Sequence, residues 1–219
     1  MSTVREPSYR KRIGYHAGLL WAMAAICSAA LVIAYKATDE DIKLRQREDM
    51  QATLQQVIPA RLYDNDILSD KLDIPLDGHV MAGKAMITVY RASKHNKLTG
   101  FAYQVTGLGY AGPIEIMLGV DTSGRILGTR VISHSETPGL GDKIEIKKDD
   151  WIELFNGLSL GAPSTEKWKV KKDGGQFDQF TGATITPRAV IKAVRQGLEF
   201  FQQHRTELVH IDNKTSVQK

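Results

Sequence analysis

From Ile13 to Tyr35 the chain carries no Asp, Glu, Lys or Arg. A stretch this long and this apolar has few ways to fold. In lipid every backbone N–H and C=O must find a partner within the protein, so a lone spanning segment is a helix. As a helix it reaches roughly 34 Å, enough to cross a hydrocarbon core of about 30 Å. His16 is the ionisable side chain of concern inside it, and Cys27 reads as a small packing residue. Arg10, Lys11 and Arg12 stand just before the run, and Asp39, Glu40 and Asp41 follow it. The positive-inside rule then leaves the N-terminus in the cytoplasm and carries the remainder across the membrane. The competing reading is a cleaved signal peptide, but the run is long for a signal core. The sequence thus sets out a cytoplasmic N-terminus over residues 1–12 and a transmembrane anchor over residues 13–35.

The rest of the 219 residues suffices for one ordinary domain. Its apolar fraction of 42% and charged fraction of 25% are those of a globular protein. The net charge of +4 comes mostly from the first twelve residues. No basic stripe interleaved with aromatics follows, which argues against a nucleic-acid partner. Cys27 is the only cysteine, so the chain forms no internal disulfide and holds no cysteine-ligated iron–sulfur cluster of its own.

Residues 36–58 are charged and lack glycine and, with Ile42, Met50, Leu54 and Val57 as apolar positions, read as a helical stalk that Pro59 limits. From Asn65 to Gly83 the chain is rich in Asp, Pro and Gly and reads as loop with short strands. Strand-like runs follow at Ala85–Arg91, Gly100–Val105, Ile114–Val120 and Ile126–Ser133, the last two spaced as an antiparallel hairpin. Asp149–Asn156 and Thr186–Gln203 are the helix candidates, and residues 204–219 read as a polar, mobile tail. Strands followed by peripheral helices predict an α+β domain over residues 59–203, an antiparallel sheet with helices at its periphery, preceded by one N-terminal transmembrane helix.

Two loops carry the chemistry. In Asp178-Gln-Phe-Thr-Gly-Ala-Thr-Ile-Thr-Pro187, the turn Thr181-Gly182-Ala183-Thr184 stands directly before the second helix candidate. Thr186 suits its N-cap and Pro187 its first position, with Val190, Val194, Leu198 and Phe201 forming one apolar face. A helix N-terminus behind a small-residue turn is suited to hold a phosphate, and threonine hydroxyls stand there. By spacing alone, an ordinary loop and helix start is the more common explanation. The second loop, His134-Ser-Glu136-Thr137-Pro138-Gly139-Leu140-Gly141, offers Glu136 and Thr137 to orient a polar ligand. Gly139 and Gly141 allow close backbone approach there. His134 with Glu136 raises a metal possibility, but no third ligand lies at a convincing spacing.

Asp178-x-x-Thr181-Gly182-Ala183-Thr184 resembles the flavinylation motif of the FMN-binding domain family, and His134-x-Glu136-Thr137-Pro138-Gly139-Leu140-Gly141 resembles its other hallmark. Gly109-Tyr110-Ala111-Gly112-Pro113-Ile114 resembles the segment that leads into a strand of that family, with Ala111 where a glycine is common. One anchor plus this domain at this length resembles the G-subunit family of Rnf (Rsx) ion-translocating electron-transport complexes. The homologous C subunits of sodium-translocating NADH:quinone reductases are typically longer.

The resemblance implies a membrane-anchored electron carrier in the bacterial inner membrane, its C-terminal domain periplasmic. It implies FMN joined through a phosphoester to Thr184 by a separate flavin transferase, with Thr181, Gly182, Ala183, Thr186, Glu136, Thr137, Gly139 and Leu140 around the cofactor. Its partners would be the other subunits of the complex. It assigns no catalytic residue and no metal. The chain lacks a dinucleotide-binding glycine fingerprint, which argues against its oxidising NADH directly. The alternatives are the quinone-reductase C subunit, a secreted soluble flavoprotein, and a non-redox membrane-anchored assembly module.

Overall fold

The structure, a computed structural model, describes residues 9–76 and 86–210. The chain divides into two compact units, Met1–Asp49 and Met50–Lys219.

In the first unit, helix α1 begins at Tyr9 and runs without a break through the apolar stretch and onward, ending at Val57 in the second unit. Its apolar part has a mean hydropathy of 2.2 over an 18-residue window, none of it buried, and is long and apolar enough to cross a membrane. Beyond it the helix surface changes character. Thr38 Oγ1 donates to the Ala34 carbonyl at 2.9 Å, and Lys43 pairs with Asp39 and Arg45 with Glu48 one turn apart. The apolar stretch and the charged segment after it are therefore one continuous helix, which stops two residues before Pro59.

The second unit is built on five antiparallel strands in the order β1-β2-β3-β4-β5: Lys71–Pro75, Met86–Lys94, Lys97–Leu108, Pro113–Asp121 and Ile126–Ser133. Of the strand expected from Ala85, residue 85 lies outside the described residues, as do residues 77–83 of the expected loop. Ile126–Ser133 is a strand with the expected bounds, whereas β2, β3 and β4 run past the expected ends because cross-strand pairing continues into the residues flanking the turns. Leu108 and Lys97, for example, still pair with Pro113 and Lys94. Alternation sorts the side chains to two faces. Phe101, Tyr103 and Val105 of β3, with Ile116, Leu118 and Val120 of β4, face the main core. Ala102 and Met117 point the other way, into a smaller cluster with Leu54, Val57 and Ile58 at the end of α1. There a Cβ at Gly128 would come within 2.8 Å of the Val57 backbone, so the glycines of β4 and β5 let the helix end lie directly on the sheet.

Helix α2, Ile185–His210, covers the main face. Val190, Val194, Leu198 and Phe201 are buried, as their helical spacing predicts. Tyr103 is wholly buried and donates to the Gly197 carbonyl at 2.8 Å, while burial pushes its phenol far above the usual tyrosine range. The helix runs past Gln203 to His210, correcting the expectation of a polar tail from His204. Leu208 is wholly buried, and that contact carries the helix on. Residues 211–219 of that tail lie outside the described residues. The helix expected at Asp149–Asn156 is a 3-10 helix, Asp150–Phe155, capped by Asp149, whose Oδ1 accepts from the Trp151 backbone N–H at 2.9 Å. Trp151 and Phe155 make an aromatic cluster with Trp168, Phe177 and Phe180.

Candidate functional site

Three loops meet at the N-terminus of α2. The turn after β3, the loop after β5 and the Thr181–Thr184 segment enclose a cavity of about 550 Å³. Thr184, Gly182, Ala183 and Thr186 line it from the helix side, and Glu136, Thr137 and Leu140 from the loop side. Thr181 and Gly139, also expected around a cofactor, are exposed and do not line it. Gly141, whose close-approach role the loop sequence suggests, lines it too, as do Tyr110 and Ile185, which the sequence does not mark for the site. An exposed Tyr110 beside a glycine-rich turn carries no signal in a single sequence. Its pairing with Leu140 and Ile185 is tertiary.

Glu136 is the tie between the three loops. It is only 4% exposed, and its two oxygens go to different elements. Oε1 accepts from the Ala111 backbone N–H at 2.9 Å, and Oε2 accepts from the Thr186 hydroxyl in a short hydrogen bond. A buried carboxylate is costly unless hydrogen-bonded, and this one is bonded on both oxygens. It also stands beside the first turn of α2, where the helix dipole favours negative charge. The glycines around it make room. A Cβ at Gly109 would clash with Glu136 Oε1, and one at Gly141 would come within 2.9 Å of both Glu136 Cβ and Thr186 Oγ1.

This corrects the expected N-cap. The helix starts at Ile185, one residue before Thr186, and the Thr186 hydroxyl is given to Glu136. Thr184 then stands immediately ahead of the first helical residue. Pro187 falls within the first turn, where its missing N–H still has no intrahelical partner to lose.

The turn that presents Thr184 is held from behind. The Ala183 N–H donates to the Phe180 carbonyl at 3.1 Å, and Gly182 has φ +82°. That is the third position of a type II turn, where a left-handed residue is needed. Phe180 is buried edge-on against Trp151, with ring centres 5.1 Å apart. The Trp151 indole N–H donates to the Asp178 carbonyl at 2.8 Å, while the Asp178 carboxylate pairs with Lys171 at the surface. Asp178 and Phe180 therefore fasten the segment to the aromatic cluster, leaving Thr184 partly exposed at the cavity.

Behind the Glu136 loop lies a charged network. His134 Nδ1 accepts from the Glu136 backbone N–H at 3.1 Å, and its Nε2 lies 3.0 Å from Glu145 Oε1, so both ring nitrogens are engaged. Among the described residues no group of three or more His, Cys, Asp or Glu side chains converges as metal ligands. Lys148 bridges Asp142 and Glu145 at 2.8 Å each. The Lys148 ammonium, with help from the Gly139 backbone, holds the Asp142 carboxyl below its usual range, and Lys148 and His134 do the same to Glu145. Lys148 is raised in turn by Asp142 and then Glu145. A depressed carboxyl contributes stability above its unfolded pKa, about 3.9 for Asp and 4.3 for Glu, and that contribution is lost as pH falls through the lower folded value. Thermal melts should hold level from neutral pH to about 5 and fall below about 4. Lys148→Met should shrink the acid-side fall, and an unchanged fall would contradict this assignment.

The FMN-binding domain family matches residues 109–199, the stretch that contains all three cavity loops. Over 199 residues the chain is 46% identical to the G subunit of the ion-translocating oxidoreductase complex of Stutzerimonas stutzeri, an alignment covering 91% of this chain and 85% of that one. It is 48% identical to the corresponding G subunit of Cereibacter sphaeroides, covering 88% and 86%, and 45% identical to that of Vibrio vulnificus, covering 88% and 92%. Among solved structures, Shewanella oneidensis NqrC aligns with a TM-score of 0.47 at 24% identity, over 66% of this chain and 74% of that one. By its near-full-length relatives, the chain belongs to the G-subunit family of ion-translocating oxidoreductase complexes.

Proposed function

We propose that this chain is the membrane-anchored, FMN-carrying subunit of an ion-translocating oxidoreductase complex, relaying electrons through FMN joined covalently to Thr184. The observation that carries the reading is the placement of Thr184. It lines a cavity of about 550 Å³, within the usual size range for cofactor sites, at the N-terminus of α2. The residues fit the group. The first-turn N–H groups of α2 suit a phosphate, and Tyr110, Leu140 and Ile185 give the cavity apolar walls suited to a flavin ring.

Bound there, FMN supplies the redox chemistry, while protein contacts position it and tune its potential. Thr184 supplies the tethering oxygen. A threonine hydroxyl is a weak nucleophile unless activated; the described lining residues include no His, Cys or Lys, and the Glu136 carboxylate is already engaged on both oxygens. A separate flavin transferase therefore directs the attachment, with FAD as phosphoryl donor and AMP as leaving group. Glu136 and Thr186 keep the three loops in register around the site, and Gly182 supplies the left-handed residue that the turn ahead of Thr184 needs. The anchor lies in the bacterial inner membrane with the domain on the periplasmic side, as the basic residues before it and the acidic residues after it favour. A tether suits a relay in that compartment, because the cofactor cannot diffuse away.

The test is direct. The full chain, co-expressed with a flavin transferase and purified from membranes, should fluoresce as a flavoprotein on a denaturing gel at its mass of 24.3 kDa. A dark band under those conditions removes the proposal.

A further inference from the structure

A second groove lies on the outer side of α2, on different residues from the cavity at its N-terminus. It has a volume of about 410 Å³ and runs between the helix and the 168–173 segment. Arg188, Ile191, Lys192, Arg195 and Glu199 fall along one stripe of α2. From Arg188 to Glu199 the helix makes eleven rises, so the stripe is about 16 Å long. Trp168 and Ile191 are buried and give it an apolar floor, and cations stand around them.

The wall of the groove is built in advance. Arg188 grips Asp173 through Nε and Nη2, both at 2.7 Å, which ties the 171–173 turn to the helix. Arg195 pairs with Glu199 at 2.9 Å. That leaves Lys169 and Lys192, both exposed, and neither forms an ion pair among the described residues. The Trp168 indole N–H, on a residue 3% exposed, also has no acceptor among the described residues. The lining holds four cationic side chains against two carboxylates, with one buried donor unanswered.

We propose that this groove docks an acidic segment, carrying an apolar anchor residue, of another subunit of the same complex. The length of the stripe and the apolar floor between the cations favour an extended polypeptide over a compact headgroup. Carboxylates of that segment pair with Lys169 and Lys192, and its anchor side chain covers Trp168 and Ile191. The proposal rests on the reading of this chain as a subunit of a larger complex, but not on its flavin.

The experiment treats the intact, purified complex with a water-soluble carbodiimide, which joins a lysine amine to a carboxylate in direct contact, followed by peptide mass spectrometry. Lys169 and Lys192 should be joined to Asp or Glu of another subunit, whereas the exposed Lys143 and Lys147 near the β5 loop serve as the reference. The double variant K169E/K192E should lower retention of the chain in the complex on the order of tenfold at low salt, with the difference shrinking as salt is raised. Its covalent flavin should stay at the unaltered level, which separates failure here from failure of the flavin reading. Cross-links from Lys143 or Lys147 but none from Lys169 or Lys192 would overturn the proposal. So would full retention of K169E/K192E, or cross-links from Lys169 and Lys192 only to carboxylates of a second copy of this chain.

Discussion

Thr184→Val should carry no covalent flavin after co-expression with a flavin transferase, against full labelling of the unaltered chain. The expected effect is all-or-none, because valine matches threonine in shape but has no oxygen to form the phosphoester. Thr184 is partly exposed at the cavity rim, so the fold should not register the change. Unfolding free energies of the unloaded proteins should agree within the roughly 0.5 kcal/mol typical of surface substitutions. Thr181→Val and Thr186→Val give the contrast. Thr181 is exposed outside the cavity lining, and its variant should label normally. Thr186 is bound to Glu136, so its variant should lose stability while keeping the attachment residue. Retained flavin in Thr184→Val would move the attachment elsewhere, whatever the family.

Glu136→Ala is the second large effect, and it acts through the fold. The change strands the Ala111 N–H and the Thr186 hydroxyl, both of which meet the carboxylate in a nearly dry setting. Two charge-assisted hydrogen bonds at about 1.5 kcal/mol each, the low end of their range, give a loss of about 3 kcal/mol. For a domain of this size that corresponds to a fall of about 6–12 °C in melting temperature. The three loops would also lose their common tie, so flavin loading should drop in the same variant. Glu136→Gln retains an acceptor for Ala111 and should recover most of both. An alanine variant with unaltered melting and loading would show that the carboxylate does not organise the site.

Much of this architecture was legible in the chain itself, for identifiable reasons. The anchor follows from a long run without charge, and the α2 face follows from Val190, Val194, Leu198 and Phe201 at helical spacing. Both signals are local. The strand cores were readable from β-branched and aromatic runs, but their ends were not, because cross-strand pairing extends strands into residues with turn preference. Thr186 shows a sharper failure. As a sequence element it is a good N-cap, yet its hydroxyl serves a glutamate fifty positions away. The tail from His204 failed for a similar reason, since one buried Leu208 outweighs the polar residues around it. At the site, the threonine turn and the Glu136 loop were each visible, while Tyr110 and Ile185 were not. What brings them together is a carboxylate bonded to two distant elements, and no spacing within either loop encodes that.

The central claim is a covalent bond at one oxygen, and peptide mapping reads that bond. Trypsin cleaving after Lys172 and Arg188 releases residues 173–188, which hold Thr181, Thr184 and Thr186 together. From protein matured with a flavin transferase, this peptide should be heavier by FMN less one water, and fragmentation should place the whole increment on Thr184. An unmodified peptide, or an increment on Thr181 or Thr186, would contradict the account.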